Sequence, residues 1–213
     1  MKITLPDVPS ELTPGSAALV KHEASLEGVL LQGLDLASVV SGNLNLNEVI
    51  LRKCNLLQAR LQRLRASDTE FDGCDLSAAD CSESSFIRTR LSRGRMTGVI
   101  LSNALNKDVT FLGCKLDMAN FRFAKFTRVQ FIDCSLVDAD FTSAELEHTT
   151  FAGCTIERTV FHHCKVRQVD LRGAQLVSLS GWQYLKGATL DDAQLMSVAP
   201  QIAAELGLHI ADS

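Results

Sequence analysis

The sequence predicts an all-β fold: a rod of four-sided coils, about 7–8 of them, closed at its C-terminal end by a short helical cap. Three observations predict it. Large apolar residues recur every fifth position from Leu26 to Leu176. Cys54, Cys74, Cys114, Cys134 and Cys154 fall on a 20-residue grid, with Gly94 at the empty point. Charged residues 20 apart are mostly of opposite sign.

The five-residue register is the primary signal. Its 31 positions hold fifteen Leu and nine Phe, with Met96, Ile156 and Val166. Only Ser41, Ala66, Cys81 and Asn106 depart from it. Two residues earlier runs a second series of nine Ala, seven Val, six Cys, four Thr and three Leu, with Ser84 and Gly94. A helix needs a period of 3.6 and a strand a period of 2, so neither explains the pattern. A period of five means one short extended side followed by a turn. Four sides make a coil of 20 residues, with the large residue and the small one two before it pointing inward. Coils stacked at the strand spacing of ~4.8 Å give a rod roughly 37 Å long. Internal repeats of this kind are the signature of a solenoid.

Stacking explains both the cysteines and the charges. The five grid cysteines form one inward column of small apolar groups, read as packing, and column neighbours lie beyond disulfide range. Of the charged pairs at i and i+20, twelve are opposite in sign, among them Arg60/Asp80, Arg63/Glu83, Glu70/Arg90, Asp68/Arg88, Arg88/Asp108, Asp108/Arg128 and Asp138/Arg158. Only Glu48/Asp68 and Arg95/Lys115 are alike. Such cross-strand pairs on a solvated wall are each worth roughly 0.2–1 kcal/mol.

Three regions follow. Residues 1–23 break the register and hold Pro6, Pro9, Pro14 and Gly15, which predicts an extended arm over the first coil, with a short helical piece at Ser16–His22. Residues 24–180 are the coil. Residues 181–213 form the C-terminal cap. There Asp191 or Asp192 starts a helix at about 192–206, Gly207 stops it, and Pro200 is expected to break or kink it, which allows two short helices. Leu195, Val198, Ala199, Ile202 and Leu206 are expected on one face, serving as a cap packed on the last coil or as a dimer interface.

Composition excludes several functions. A net charge of −4 argues against a general nucleic-acid binder. No apolar run approaches a membrane span, and Met1–Asp7 lacks the apolar core of a secretory signal. Seven cysteines without such a signal point to a reducing cytoplasm. Five histidines are present, His22, His148, His162, His163 and His209. In His162-His163-Cys164 the cysteine is inward and the histidines are outward, so no shared metal is expected. No nucleophile elbow, P-loop or dinucleotide fingerprint occurs, so neither enzyme activity nor a cofactor is expected. Asn106, the one amide at a central inward position, is expected to bond a backbone group.

The units Cys134-Ser135-Leu136-Val137-Asp138-Ala139-Asp140-Phe141 carry a resemblance to the pentapeptide repeat family, whose unit reads A-[DN]-L-x-x. The resemblance covers residues 24–176 and implies a right-handed quadrilateral β-helix. The ending, Leu185–Leu195 with Pro200 and Leu206-Gly207-Leu208, is similar to the cap of bacterial members. Well-understood relatives are dimeric, acidic rods that mimic DNA and protect DNA gyrase or topoisomerase IV from quinolones or toxins. The resemblance therefore implies a non-catalytic binding protein. One reading makes the partner a topoisomerase, with a homodimer formed through the C-terminal helix. The other makes the chain a structural or protein-interaction module. Fold alone does not choose between them. Residues 24–176 carry 18 acidic and 18 basic side chains, so the rod is neutral and the excess charge lies at its ends. Arg60, Arg63 and Arg65, with Arg88, Arg90, Arg93 and Arg95 a coil later, make a basic region. Asp117, Asp133, Asp138, Asp140 and Glu157 make the acidic region expected to meet a partner, with Met118 and Phe123 as outward apolar contact points. The unbroken register leaves no room for the inserted loops of some quinolone-resistance relatives.

Overall fold

The computed structural model describes residues 2–208; Met1 and 209–213, including His209 and the end of the cap region, lie outside them. The chain winds into about eight turns of parallel β-solenoid followed by one helix. Eight-residue strands Arg65–Asp72, Ser85–Ser92, Leu105–Leu112, Lys125–Ile132 and Glu145–Ala152 stack in parallel along two adjoining walls. Their register is the 20-residue step: Arg65 pairs Ser85, Phe111 pairs Phe131, and Phe131 pairs Phe151. On the other two walls single bridges keep the same step, as in Asn55 with Asp75 and Asn120 with Asp140.

The corners reveal a rule that the hydrophobic pattern does not show. Every fifth residue from Glu23 to Ser178 has a positive φ, twenty-five of them non-glycine and seven glycine. L-residues enter this region at a cost, and β-branched ones most of all. None of the twenty-five is Val, Ile or Thr. The corner position is therefore selected against β-branching.

The core is a set of ladders. Phe111, Phe131 and Phe151 stack with centroids 4.8 and 4.9 Å apart and planes within 3°. On the opposite wall Phe121, Phe141 and Phe161 stack at 4.7 and 5.1 Å. The two columns meet edge to face, an arrangement suited to the ring quadrupole. In the small inward series, Cys, Thr and Ser do more than fill space. Cys54 donates to the Leu31 carbonyl at 3.3 Å, Thr89 to Ala66 at 3.2 Å, and Cys114 to Leu91 at 3.3 Å. Each donor lies 23 residues after its acceptor. A small side chain with one donor thus ties each wall to the coil before it.

Asn106 bonds a backbone group as expected, donating to the Lys125 carbonyl at 3.4 Å, while its Oδ1 is buried without a partner. Three expectations need correction. Of the twelve opposite pairs, eight close as ion pairs. Arg60/Asp80, Arg63/Glu83, Glu70/Arg90 and Arg88/Asp108 do not; in two of them another partner competes, Gln62 for Asp80 and Asp68 for Arg88. The cap helix is one element, Asp192–Glu205, with Pro200 inside it. Asp191 caps it in a reciprocal box with Gln194. Pro200 is tolerated because it is exposed, and the carbonyl it leaves unpaired belongs to Met196, itself 78% exposed. The arm, finally, does not stop at the first coil. A 3-10 turn occupies only Ala17–Leu19, Thr13–Pro14 pairs with Val29 and Leu30, and residues 2–12 run on down the rod.

Candidate partner-binding surface

Corner residues face outward between walls, so they decide what the rod presents. Met118 and Phe123 are successive corners of one coil, 62% and 52% exposed. They frame a wall whose outward residues are Asn120 and Arg122. Among the twenty-five non-glycine corners they are the only large apolar side chains. Arg122 pairs with Asp140 of the next coil at 3.3 Å, and Asp140 also accepts from the Thr142 amide at 2.8 Å.

The predicted acidic residues do not form a free negative stripe. Asp138 takes two hydrogen bonds from Arg158, at 2.7 and 2.8 Å, which hold its carboxyl below the usual range. Glu157 pairs with the same Arg158. Asp117 accepts from Ser135 and from the Val137 amide, and lies 3.5 Å from Lys115. Asp133 sits at a corner one wall away. Asp138 and Asp140 are thus brought together beside Met118 and Phe123, each with a cation attached. The basic region is divided in the same way: Arg88, Arg93 and Arg95 pair with Asp68, Asp72 and Asp75.

The histidines of the 162–163 pair pack around Tyr184 of the cap, His163 at 4.7 Å and His162 at 6.0 Å between centroids. Cys164 turns inward and donates to the Phe141 carbonyl at 2.9 Å. All seven cysteines are free and buried. Burial pushes the Cys81 and Cys164 thiols up to about 12, which disfavours the nucleophilic thiolate. Among the described residues no group of three or more His, Cys, Asp or Glu could hold a metal ion.

The cap helix does not present its five predicted residues on one face. Val198 is fully buried against the last coil and Ile202 is half-buried beside it. Leu195, Ala199 and Leu206 face outward with Met196. The packed side is anchored by a polar group that hydrophobicity does not signal: Gln194 donates to the Leu171 and Ala174 carbonyls at 2.6 and 2.7 Å. Glu205 accepts from the Gly181 and Trp182 amides at the edge of an open cleft of about 230 Å³ lined by Leu171, Trp182, Leu185 and Ile202.

Two sequence profiles match this chain. One described as "Pentapeptide repeat region" matches residues 124–198, and one described as "Pentapeptide repeats (8 copies)" matches 42–77 and 67–103. The chain belongs to the pentapeptide repeat family. Among curated proteins none matches this sequence. Among solved structures, a trypsin-treated form of QnrB1, described as a plasmid-mediated fluoroquinolone resistance protein, is 19% identical with a TM-score of 0.57. The alignment covers 89% of this chain and 91% of that one. A second trypsin-treated form of QnrB1 is 18% identical with a TM-score of 0.51, covering 90% and 91%. At these identities the likeness is one of fold.

Proposed function

We propose that this pentapeptide repeat protein is a non-catalytic, protein-binding rod whose docking wall is framed by Met118 and Phe123. The observation that carries this reading is the exposure of two large apolar side chains at adjacent corners. The other twenty-three non-glycine corners all hold polar side chains or alanine, which keep an outward, left-handed position solvated. Met, aromatic residues and Arg are also the types enriched at protein interfaces, and Arg122 lies between the two. Seven unpaired thiols support a cytoplasmic setting.

A second reading makes the partner DNA gyrase or topoisomerase IV. It is favoured by the full-length fold likeness to a fluoroquinolone resistance protein. Here Asp117, Asp133, Asp138, Asp140 and Glu157 stand in for phosphates, and the outward Leu195, Met196 and Leu206 of the cap helix join two rods end to end. A gyrase supercoiling assay, with and without a quinolone, separates the readings. Inhibition or drug protection lost in the Asp138→Lys/Asp140→Lys variant supports the mimic. Without any effect on gyrase, cross-linking in cell extract is compared for the native chain, Met118→Ser/Phe123→Ser, and a Lys53→Ser control on a corner about three coils away. A partner lost only in the Met118/Phe123 variant supports the docking wall, and identical capture by all three overturns it.

A further inference from the structure

The N-terminal arm meets the rod along one corner column. The Thr13 amide donates to the Gly28 carbonyl at 2.8 Å, the Asp7 amide to Asp68 Oδ1 at 3.1 Å, and the Thr4 amide to Asp108 Oδ1 at 3.4 Å. Gly28, Asp68 and Asp108 are 40 residues apart in succession, so they stand in line two coils apart. Three arm residues, Thr4 to Asp7, cover two coils, which is what an extended chain reaches: ~10 Å in either measure. Both carboxylates are almost wholly buried, Asp68 8% and Asp108 5% exposed, although corner residues face outward. Each is held in a two-point hydrogen bond, Asp68 by Arg88 and Asp108 by Arg128, which fixes the oxygen that the arm amide meets. On the arm, Ile3, Pro6 and Val8 are half-buried and alternate with exposed neighbours.

We propose that this corner column is a binding strip for an extended peptide, filled in cis by the arm and open in trans when the arm lifts. The ligand class is read from the occupant itself. It is an extended segment that offers main-chain N–H groups three residues apart to two preset carboxylates, with apolar side chains between and beside them. Carboxylates locked by arginine do not need to reorganise when a peptide arrives. The cis contact is light: two amide hydrogen bonds, one of them long, and three partly covered side chains hold residues 2–8. Segments of this kind open locally at far lower cost than the ladder beneath them. The strip lies on a different corner from Met118 and Phe123, so it stands or falls independently of that wall.

The test uses the full-length chain carrying Ile3→Ser, Pro6→Ser and Val8→Ser, which leaves the rod intact. The probe is a fluorescent peptide of native sequence, residues 2–11. Fluorescence anisotropy is expected to show the triple variant binding the probe about tenfold or more tightly than the native chain, because its own arm competes less. Adding Asp68→Asn and Asp108→Asn should weaken that binding by about tenfold again. Equal binding by the native chain and the triple variant, binding by neither, or indifference to the two carboxylates overturns the proposal. Self-association of the triple variant in place of peptide capture also overturns it, since the strip would then join copies. Hydrogen exchange on the native chain gives an independent reading that needs no variant. The Thr4 and Asp7 amides should exchange orders of magnitude faster than that of Val129. Exchange at the same rate, through global unfolding only, means the arm does not lift.

Discussion

Replacing Phe131 by Ala tests whether the aromatic ladder, rather than the backbone ladder, holds the middle of the rod. Phe131 is fully buried. It stacks on Phe111 and Phe151 at 4.8 and 4.9 Å, and meets Phe121, Phe126 and Phe141 at 6.1, 5.9 and 6.2 Å. Truncating a buried Phe to Ala costs about 3–5 kcal/mol. Phe131 belongs in the upper half of that range, because its five ring neighbours are themselves packed in columns and cannot collapse into the gap. For a chain of this length that is a melting shift of about 10 °C or more. Urea unfolding followed by circular dichroism measures it, with Phe123→Ala as the control. Phe123 is half-exposed at a corner, so its truncation should change stability by no more than ~0.5 kcal/mol. In a solenoid the loss is local, so hydrogen exchange should rise first at Val109, Val129 and Thr149 and last at Leu31. A Phe131→Ala shift no larger than that of the control, or protection lost evenly along the rod, refutes the reasoning.

Three further outcomes are expected. Asn106→Leu should stabilise the rod by about 1 kcal/mol, because it removes a buried, unpartnered oxygen from a column otherwise held by Leu, Phe, Ala and Val; a lower urea midpoint would show that Oδ1 is satisfied after all. Gly181→Ala should destabilise the cap, since a Cβ there would stand 2.7 Å from the Phe161 carbonyl carbon at a φ of 90°, and an unchanged melting curve would contradict the close approach of last coil and cap. Stability should also fall in acid for a specific reason. The Arg88 and Arg128 hydrogen bonds hold the Asp68 and Asp108 carboxyls below their ordinary range. Their contribution is therefore complete above the unfolded value of about 3.9 and is lost as pH falls through the lower folded values. The Asp68→Asn/Asp108→Asn variant should show a shallower acid decline, and identical slopes refute the assignment.

The coil was legible in the sequence because every inward position repeats its chemistry and no insertion breaks phase. Leu31, Leu51 and Phe71 stack because each is the centre of one wall, and the Cys54 to Cys154 column is as regular in space as in the chain. What periodicity did not carry was anything acting across it. The arm docks by backbone amides, which leave no side-chain pattern at Thr4 or Asp7. Its only sign was the Asp68, Arg88, Asp108, Arg128 alternation, which reads equally well as ordinary ladder pairing. The cap was legible in its capping residue and stop. It was not legible in its facing, because the polar Gln194 takes an inward place that hydrophobicity assigns to Leu195. Corner residues gave up their candidate function more readily: Met118 and Phe123 interrupt a position that is otherwise polar or small.

The surface charges also bear on which kind of partner this rod suits. A phosphate-like surface needs uncompensated negative charge continued from coil to coil. The corner column containing Asp138 reads Ser38, Gln58, Ala78, Gly98, Met118, Asp138, Arg158, Ser178, one acid followed at once by the arginine that binds it. Column after column, the stacking that favours opposite neighbours cancels the field along the rod. The same cancellation leaves apolar contact as the main source of binding energy on the walls, and that energy is concentrated where two large side chains stand at adjacent corners. A charge-matched rod gains specificity from where its exceptions lie, and in this chain the two large apolar side chains at non-glycine corners share one coil.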